Sequence, residues 1–508
     1  MKTTPQLPLL TLTLACTFPV FSGAAEEKTS GLPKIKQTAP APHYAPRIPP
    51  PDAKAAEVAD GYQASVFLTG LQYPTSIEFD GVGKIYIAES GNIDGDWVAP
   101  ARVFEFPADN PAGNTGSVVA DQLSGPVTDL LWHDGRLYIS HRGKISVLEG
   151  GKVRDLVSDL PSWGDHHNNQ LTVGPDGKIY VGIGTATNSG VVGVDNYLLG
   201  WLLPWPDFCD VPGKDITLVE QQFESADPLS ALAKNKAASV QGSAFAPFGK
   251  TLSSLTVKGQ AKATGAIVRI AAAGGKVELY AWGLRNPFGL IWSPEGKLYA
   301  SENGLDERGV RHVANAPDNL WEIKEGAWYG WPDFASGIPV TDPRFKAKGK
   351  PSAGFLMKEH PPVEKPLMTF EPHASVVKMD FSPSEEFGHK GQMFLAASGD
   401  FAPGTALEQK RAGYWVKRLD LASGKAEPFF HTKPSALGEG DMAYVTTAGP
   451  KRPIDVRFHG DALYVVDIGA VTFTQSGVGP APRPFPGSGV VWKITRSSAS
   501  STDVKAAR

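Results

Sequence analysis

The sequence predicts an all-β fold: a six-bladed β-propeller with long loop insertions between blades. Three observations carry this expectation. Glycine (55) and proline (43) are abundant along the 508 residues, so turns are frequent. Tryptophan (12) and tyrosine (13) are also plentiful, which favours short strands over long helices. Above all, one hairpin pattern recurs about six times, irregularly spaced, as expected of a radial repeat.

Each copy is an apolar alternating strand, a turn of Asp, Gly, Glu or Pro, and a short strand with Leu or Ile before an aromatic. The copies lie at 77–87, 130–139, 171–181 and 290–300. A degenerate copy joins 377–381 to 392–395, and the last spans 456–465. Period-2 strands across a tight Asp-Gly-type turn form hairpins, so each copy should supply the inner strands of one blade. The largest insertion runs from about 188 to 262. Residues 227–236 have the pattern of a short helix, and Trp201, Trp205 and Phe208 suit either a packed lid or an insertion packing on the rim.

The ends of the chain read differently. Residues 1–25 have the form of a secretory signal: Lys2, an apolar stretch to Phe21, then small residues. Thr13-Leu-Ala-Cys16 loosely resembles a lipoprotein processing box, but apolar Phe18 to Phe21 fits a continuing signal core better. The expected location is therefore the periplasm or the exterior. The apolar run is too short and too proline-broken to span a bilayer. Residues 26–54 form a Pro-rich leader, 55–496 the propeller, and 497–508 a polar tail. After cleavage only Cys209 remains, so the fold must rely on its core and not on a disulfide. A net charge of −4 without a long basic run argues against nucleic acid and anionic lipid as partners.

Four stretches carry chemistry. Gly-Asp-His-His-Asn-Asn-Gln at 164–170 places Asp165, His166 and His167 on the loop entering the third hairpin. Histidine is the natural general base near neutral pH, and a neighbouring carboxylate can orient it. Arg285 and Asn286 stand where the chain enters the fourth hairpin, and a guanidinium there could stabilise an oxyanion or a reduced quinone. Ser-Glu-Asn-Gly-Leu-Asp-Glu-Arg at 301–308 offers oxygens and a glycine turn to a hard cation, without EF-hand spacing. Lys451 and Arg452 precede the last hairpin, and His373 precedes the fifth. Equivalent loops of neighbouring blades should meet at one mouth. The sequence has no Walker loop, dinucleotide fingerprint, Gly-x-Ser-x-Gly or His-Glu-x-x-His.

Taken together, Gly-Leu-Arg-Asn-Pro-Phe-Gly-Leu (283–290), Ser-Glu-Asn-Gly (301–304), Trp-Tyr-Gly-Trp-Pro (328–332), His166 before Leu-Thr-Val-Gly-Pro-Asp-Gly, and Arg452-Pro-Ile-Asp resemble the glucose/sorbosone dehydrogenase family over 61–495. The resemblance implies an exported six-bladed propeller that uses pyrroloquinoline quinone (PQQ) and Ca²⁺ to oxidise an aldose or related sugar. It implies His166 as general base with Asp165 assisting. Arg285 and Asn286 would contact the quinone, and the carbonyls of Gly304 and Leu305 would hold Ca²⁺. Arg452 would pair with a cofactor carboxylate, and His373 is a further cofactor-binding candidate. The partners implied are a small sugar and an electron acceptor of unassigned kind.

Departures mark a divergent branch. Pro-Val-Thr-Asp at 126–129 stands where the glucose-oxidising members carry a glutamine, and Ile454 takes the place of a second arginine. A cofactor-binding lysine has no clear counterpart near 396–400, and extra residues including Arg308 and Arg311 interrupt the motif after Asp306. The alternatives are a Ca²⁺-dependent propeller lactonase or similar hydrolase, and a non-catalytic sugar-binding propeller.

Overall fold

The computed structural model describes residues 47–91, 99–108, 115–228, 238–401, 411–476 and 479–497. The expected signal, most of the leader, most of the 227–236 helix and nearly all of the tail lie outside the described residues. Those described form six sheets of four or five antiparallel strands and four two-stranded sheets. The inner strand of each sheet touches that of the next, and the sixth returns to the first. The ring is a six-bladed β-propeller.

All six repeated hairpins become the two innermost strands of a blade. Blade I begins Pro74–Phe79 and Lys84–Glu89; blade II, Val127–His133 and Arg136–His141; blade III, Asn168–Val173 and Lys178–Ile183. Blade IV begins Asn286–Trp292 and Leu298–Asn303; blade V, Val376–Phe381 and Met393–Ala397; blade VI, Pro453–His459 and Ala462–Asp467. The hairpin of blade II shows the local reason. Asp134 and Gly135 both have positive φ (49° and 72°), the backbone that a tight two-residue turn between twisted strands requires. Inner-strand apolar residues such as Leu130, Leu171, Leu290 and Val456 are at most 1% exposed and wedge adjacent blades together.

Ring closure is a feature that the hairpin pattern does not announce. Tyr62–Leu71 is the outermost strand of blade VI, antiparallel to Gly489–Arg496 with Tyr62 opposite Arg496. The last blade thus joins both ends of the propeller. Ala56–Val58 adds a fifth strand to blade V by pairing with Lys425–Thr432.

The large insertion leaves blade III after its second strand and returns at Ala266–Ala271. It is packed. Trp201, Leu202 and Phe208 are nearly fully buried with Ala186 and Val192. Another part shares a core with the outer strand of blade III and an insertion of blade IV: Ile216, Leu218 and Phe245 cluster with Trp282, Trp328 and Trp331. Burial of Trp201 and Phe208, with Trp205 half-buried beside them, fits both readings of this insertion, the packed lid and the packing on the rim. Among the described residues, no helix is long and apolar enough to cross a membrane.

Candidate active site

In each blade the chain enters the inner strand and leaves the second strand at the same end of the propeller, so both loops face one mouth. A cavity of about 270 Å³ opens there. Its wall includes Asp165, His166, Arg285, Asn286, Gly304 and His373, drawn from blades III, IV and V. The expected convergence of the loops therefore holds for these six residues. Apolar side chains, among them Phe288, Val377 and Ile454, line much of the rest.

His166 is held in one tautomer. Its Nδ1 lies 2.9 Å from the Thr185 carbonyl and 3.2 Å from the Thr185 hydroxyl. That hydroxyl already donates to the Thr187 carbonyl, so it can only accept from Nδ1–H. The lone pair is left on Nε2, which makes no hydrogen bond among the described residues. Burial first, then the charges of Arg285 and Arg308, push the imidazole pKa well below its usual value. His166 is thus neutral at neutral pH, as a base must be. Its loop packs against Gly184, where a Cβ would sit 2.2 Å from His166 Cβ and 2.7 Å from Asn286 Oδ1. Only glycine permits His166 and Asn286 to come this close.

His167 also lines the cavity but turns Nδ1 to the Ser162 carbonyl at 3.0 Å. Burial, with Arg142, pushes its pKa down to about 3. Asn286 stands in a row of amides: it accepts from Asn169 at 3.0 Å and donates to Asn303 at 2.9 Å, and Asn303 donates to the Val376 carbonyl at 2.7 Å.

A ladder of alternating charge spans the wall. Arg285 meets Asp306 at 2.6 Å, and Arg308 meets Asp306 at 3.1 Å, Asp165 at 2.6 Å and Asp195 at 2.8 Å. His373 lies 3.4 Å from Asp306. Burial opposes the Asp306 charge, but Arg285, His373 and Arg308 outweigh it and depress its pKa strongly. Burial likewise opposes protonation of His373, yet Asp306, then Asp318 and Glu307, raise its pKa. Asn188 binds the ladder together: its oxygen accepts from Arg285 Nε at 3.1 Å and Asp306 N at 2.8 Å.

Two expected contacts change. Asp165 is adjacent to His166 in sequence, but its carboxylate makes no hydrogen bond to that imidazole. One oxygen accepts from Asn196 at 2.9 Å and Trp201 at 2.6 Å, the other from Arg308 at 2.6 Å. Through Arg308, Asp165 is linked to Asp306 on the opposite loop. Arg452 is likewise committed. Its guanidinium donates to the carbonyls of Ser398, Gly399 and Asp400 at 2.9–3.1 Å and lies over the Phe401 ring. It shapes the wall formed by Ser398 and Phe401 and does not itself line the cavity.

Gly304 has its N–H fixed by Asp318 at 2.8 Å, and its carbonyl takes no hydrogen bond among the described residues. A Cβ at Gly304 would meet the Pro317 carbonyl at 2.4 Å. The Leu305 side chain is buried in the lid core, so only its backbone remains as a donor. Among the described residues, no group of three or more His, Cys, Asp or Glu side chains is arranged to hold a metal. Backbone oxygen is therefore the chemistry on offer to a cation at Gly304 and Leu305.

Sequence reasoning missed Arg308 as part of the wall, and Asn188 and Asp195 as the residues that brace it from behind. Asp306 and Arg308 stood inside a quoted run, and their signal was two opposite charges at i, i+2 in a glycine loop. Asn188 and Asp195 carried none, because their partners are 97 and 113 residues away.

Fold and site define a propeller with a buried histidine, a guanidinium and an amide at one axial mouth. Residues 238–400 match the family Glucose / Sorbosone dehydrogenase. The resemblance seen in the motifs is thus borne out over that stretch. A curated relative, quinoprotein glucose dehydrogenase B of Acinetobacter calcoaceticus, is 29% identical over 184 residues, 36% of this chain and 29% of that protein. The match spans under a third of that relative's length. Among solved structures, the PQQ domain of pyranose dehydrogenase from Coprinopsis cinerea aligns with TM-score 0.52 and 14% identity, over 89% of this chain and 99% of that one. A Trichoderma reesei enzyme of carbohydrate-active family AA12, in a calcium structure, aligns with TM-score 0.51 and 16% identity over 89% and 98%. At these identities the structures share the fold.

Proposed function

We propose that this protein oxidises an aldose or related sugar, with PQQ and Ca²⁺ bound at the mouth and His166 as general base. One observation carries the reading: a neutral, tautomer-locked His166 shares one cavity with Arg285, Asn286 and the Gly304 carbonyl. The donor set fits a flat quinone at its reactive end. Apolar walls of Phe288, Val377 and Ile454 suit ring faces, guanidinium and amide suit quinone oxygens, and an unbonded carbonyl suits a hard cation. When bound, such a quinone–cation pair supplies a polarised hydride acceptor.

The chain's own residues do the rest. His166 Nε2 takes the proton of the anomeric hydroxyl while Thr185 stabilises the Nδ1–H of the resulting imidazolium. Arg285 and Arg308 keep positive charge beside the developing negative charge. Gly304 and Leu305 would hold Ca²⁺ through carbonyls. His373, favoured toward protonation, suits a cofactor carboxylate. Arg452 contributes by fixing the Ser398–Phe401 wall. The Pro-rich leader and apolar N-terminus support export to the periplasm or beyond.

The related families in the comparisons and the His166 geometry support this reading over hydrolysis. A metal-dependent lactonase needs a cluster of side-chain ligands, which the described residues do not supply. One observation favours a non-catalytic sugar-binding propeller: Arg452 is spent on carbonyls, and Ile454 lines the wall. A single experiment separates the two. Apo-protein is titrated with quinone and Ca²⁺ by absorbance, then assayed with sugars and a reducible dye. Saturable quinone binding with sugar-dependent dye reduction is expected, and His166→Ala should lower turnover by at least about 10²-fold with quinone still bound. Calorimetric sugar binding without any quinone-dependent spectral change overturns the catalytic reading.

A further inference from the structure

Arg308 is one guanidinium serving three carboxylates from three segments of the chain. Asp165 precedes the base on the loop of blade III. Asp195 sits on the short helix Val194–Leu198 in the insertion of blade III. Asp306 belongs to the loop leaving blade IV, and through it Arg308 is linked to Arg285. The Arg308 side chain is 11% exposed, and those of Asp165, Asp195 and Asp306 are 0%, 10% and 11% exposed. Paired geometry at this depth is strong only while every partner is present. Arg308 also lines the cavity, as does Leu199, the residue just after that helix.

We infer that Arg308 is a positioning residue that clamps the insertion helix and the His166 loop together as one closed wall of the cavity. The inference rests on His166 being the base, and it concerns a residue that the family resemblance left as an interruption. The fork geometry is what the site uses. Three nitrogens reach three carboxylates, so an ammonium would supply the charge without the clamp. The guanidinium also holds a positive charge near His166. The other charged or titratable groups around that imidazole are Arg285, Asp306, Asp165, His167 and His373. Arg308 and Arg285 disfavour its protonation, whereas Asp306 favours it.

The test uses full-length protein loaded with quinone and Ca²⁺, and the variants Arg308→Gln, Arg308→Lys and Asp195→Asn. Arg308→Gln removes clamp and charge. Backbone amides across 193–210 should exchange with deuterium at least about tenfold faster, and the acid limb of the pH–rate profile should move to higher pH as His166 becomes easier to protonate. Arg308→Lys keeps the charge, so exchange rises while the acid limb stays in place. Asp195→Asn weakens only the arm to the helix, by making it neutral, and covers the case in which Arg308→Gln fails to fold. It should raise exchange across 193–210 without moving the limb. Wild-type exchange in both Arg308→Gln and Asp195→Asn overturns the clamp. An unmoved acid limb in Arg308→Gln overturns the link to His166. If wild-type protein turns over no sugar, the proposed function fails, yet the exchange comparison still decides the clamp.

Discussion

Along the propeller axis, Lys378 is fully buried and reaches Asp129 at 2.6 Å, Asp455 at 3.5 Å and the Thr75 carbonyl at 2.8 Å. At the mouth, Arg308 is similarly enclosed by three carboxylates. The two clusters share chemistry and differ in what carries them. Axial acids sit on inner strands and are also bonded to backbone N–H of a neighbouring blade: Leu171 N to Asp129 at 2.8 Å, Ile77 N to Asp455 at 3.1 Å, Phe458 N to Asp380 at 2.8 Å. They tie blade to blade. The mouth cluster sits on loops, and its wall is a cavity. Buried charge therefore holds the ring together in one place and lines the cavity of the proposed active site in the other.

The largest effect that sharpens this contrast is expected at Lys378. Lys378→Met removes the cation nearest to Asp129 and Asp455 and leaves only Arg457, 3.9 Å from Asp129. Loss of one member of such a set costs about 3–5 kcal/mol. Denaturant unfolding should show this loss, while protein that remains folded should titrate with quinone as the wild type does. His166→Ala should give the reverse pattern, near-normal stability with turnover lost. A Lys378→Met protein of unchanged stability would remove the distinction between the clusters.

The same contrast explains what was legible in the sequence. The hairpins were, because Asp-Gly turns and period-2 apolar residues are local signals that each blade repeats. Of the site, the residues flanking those hairpins were legible by position: His166 before blade III, Arg285 and Asn286 before blade IV, Gly304 after its second strand. Ring closure by Tyr62–Leu71 was not, since pairing with Gly489–Arg496 spans nearly the whole chain. The Arg308 contacts were hidden for the same reason. The contacts of Arg452 were not legible, because a cation beside a mouth reads alike whether it faces the cavity or the carbonyls of Ser398, Gly399 and Asp400. Lys378 was passed over in a strand pattern that reads as apolar.

A smaller, local change can probe the mouth alone. Gly184→Ala inserts a methyl group that would overlap His166 Cβ and Asn286 Oδ1. Overpacking costs about 1–3 kcal/mol when the neighbours must move. Here the atoms that must move are the base and the amide, so turnover should fall by about 10–10²-fold, as expected for a displacement near 1 Å. Steady-state assay against thermal unfolding checks it. Equal losses of stability and activity, with none specific to turnover, would show that the cavity wall tolerates displacement as the axis does.

The smallest effect lies at the other end of the axis and has a definite sign. Burial pushes the Glu78 carboxyl up to about 7, against the opposing charge of Arg457 and the Phe79 N–H, with Asp129 adding to the rise. A folded pKa above the unfolded one means that the native state binds the extra proton. Stability from this group is fully present below the ordinary glutamate range and declines as pH rises toward 7. Glu78→Gln, which stays neutral, should flatten that decline by on the order of 1–3 kcal/mol between pH 4.5 and 7. Urea midpoints across this window measure it. The mouth predicts no matching change, because Glu78 is outside the cavity wall and the acid limb of turnover belongs to His166. A variant that flattens the stability slope and leaves the rate profile in place separates the charges that hold the ring from those that serve its mouth.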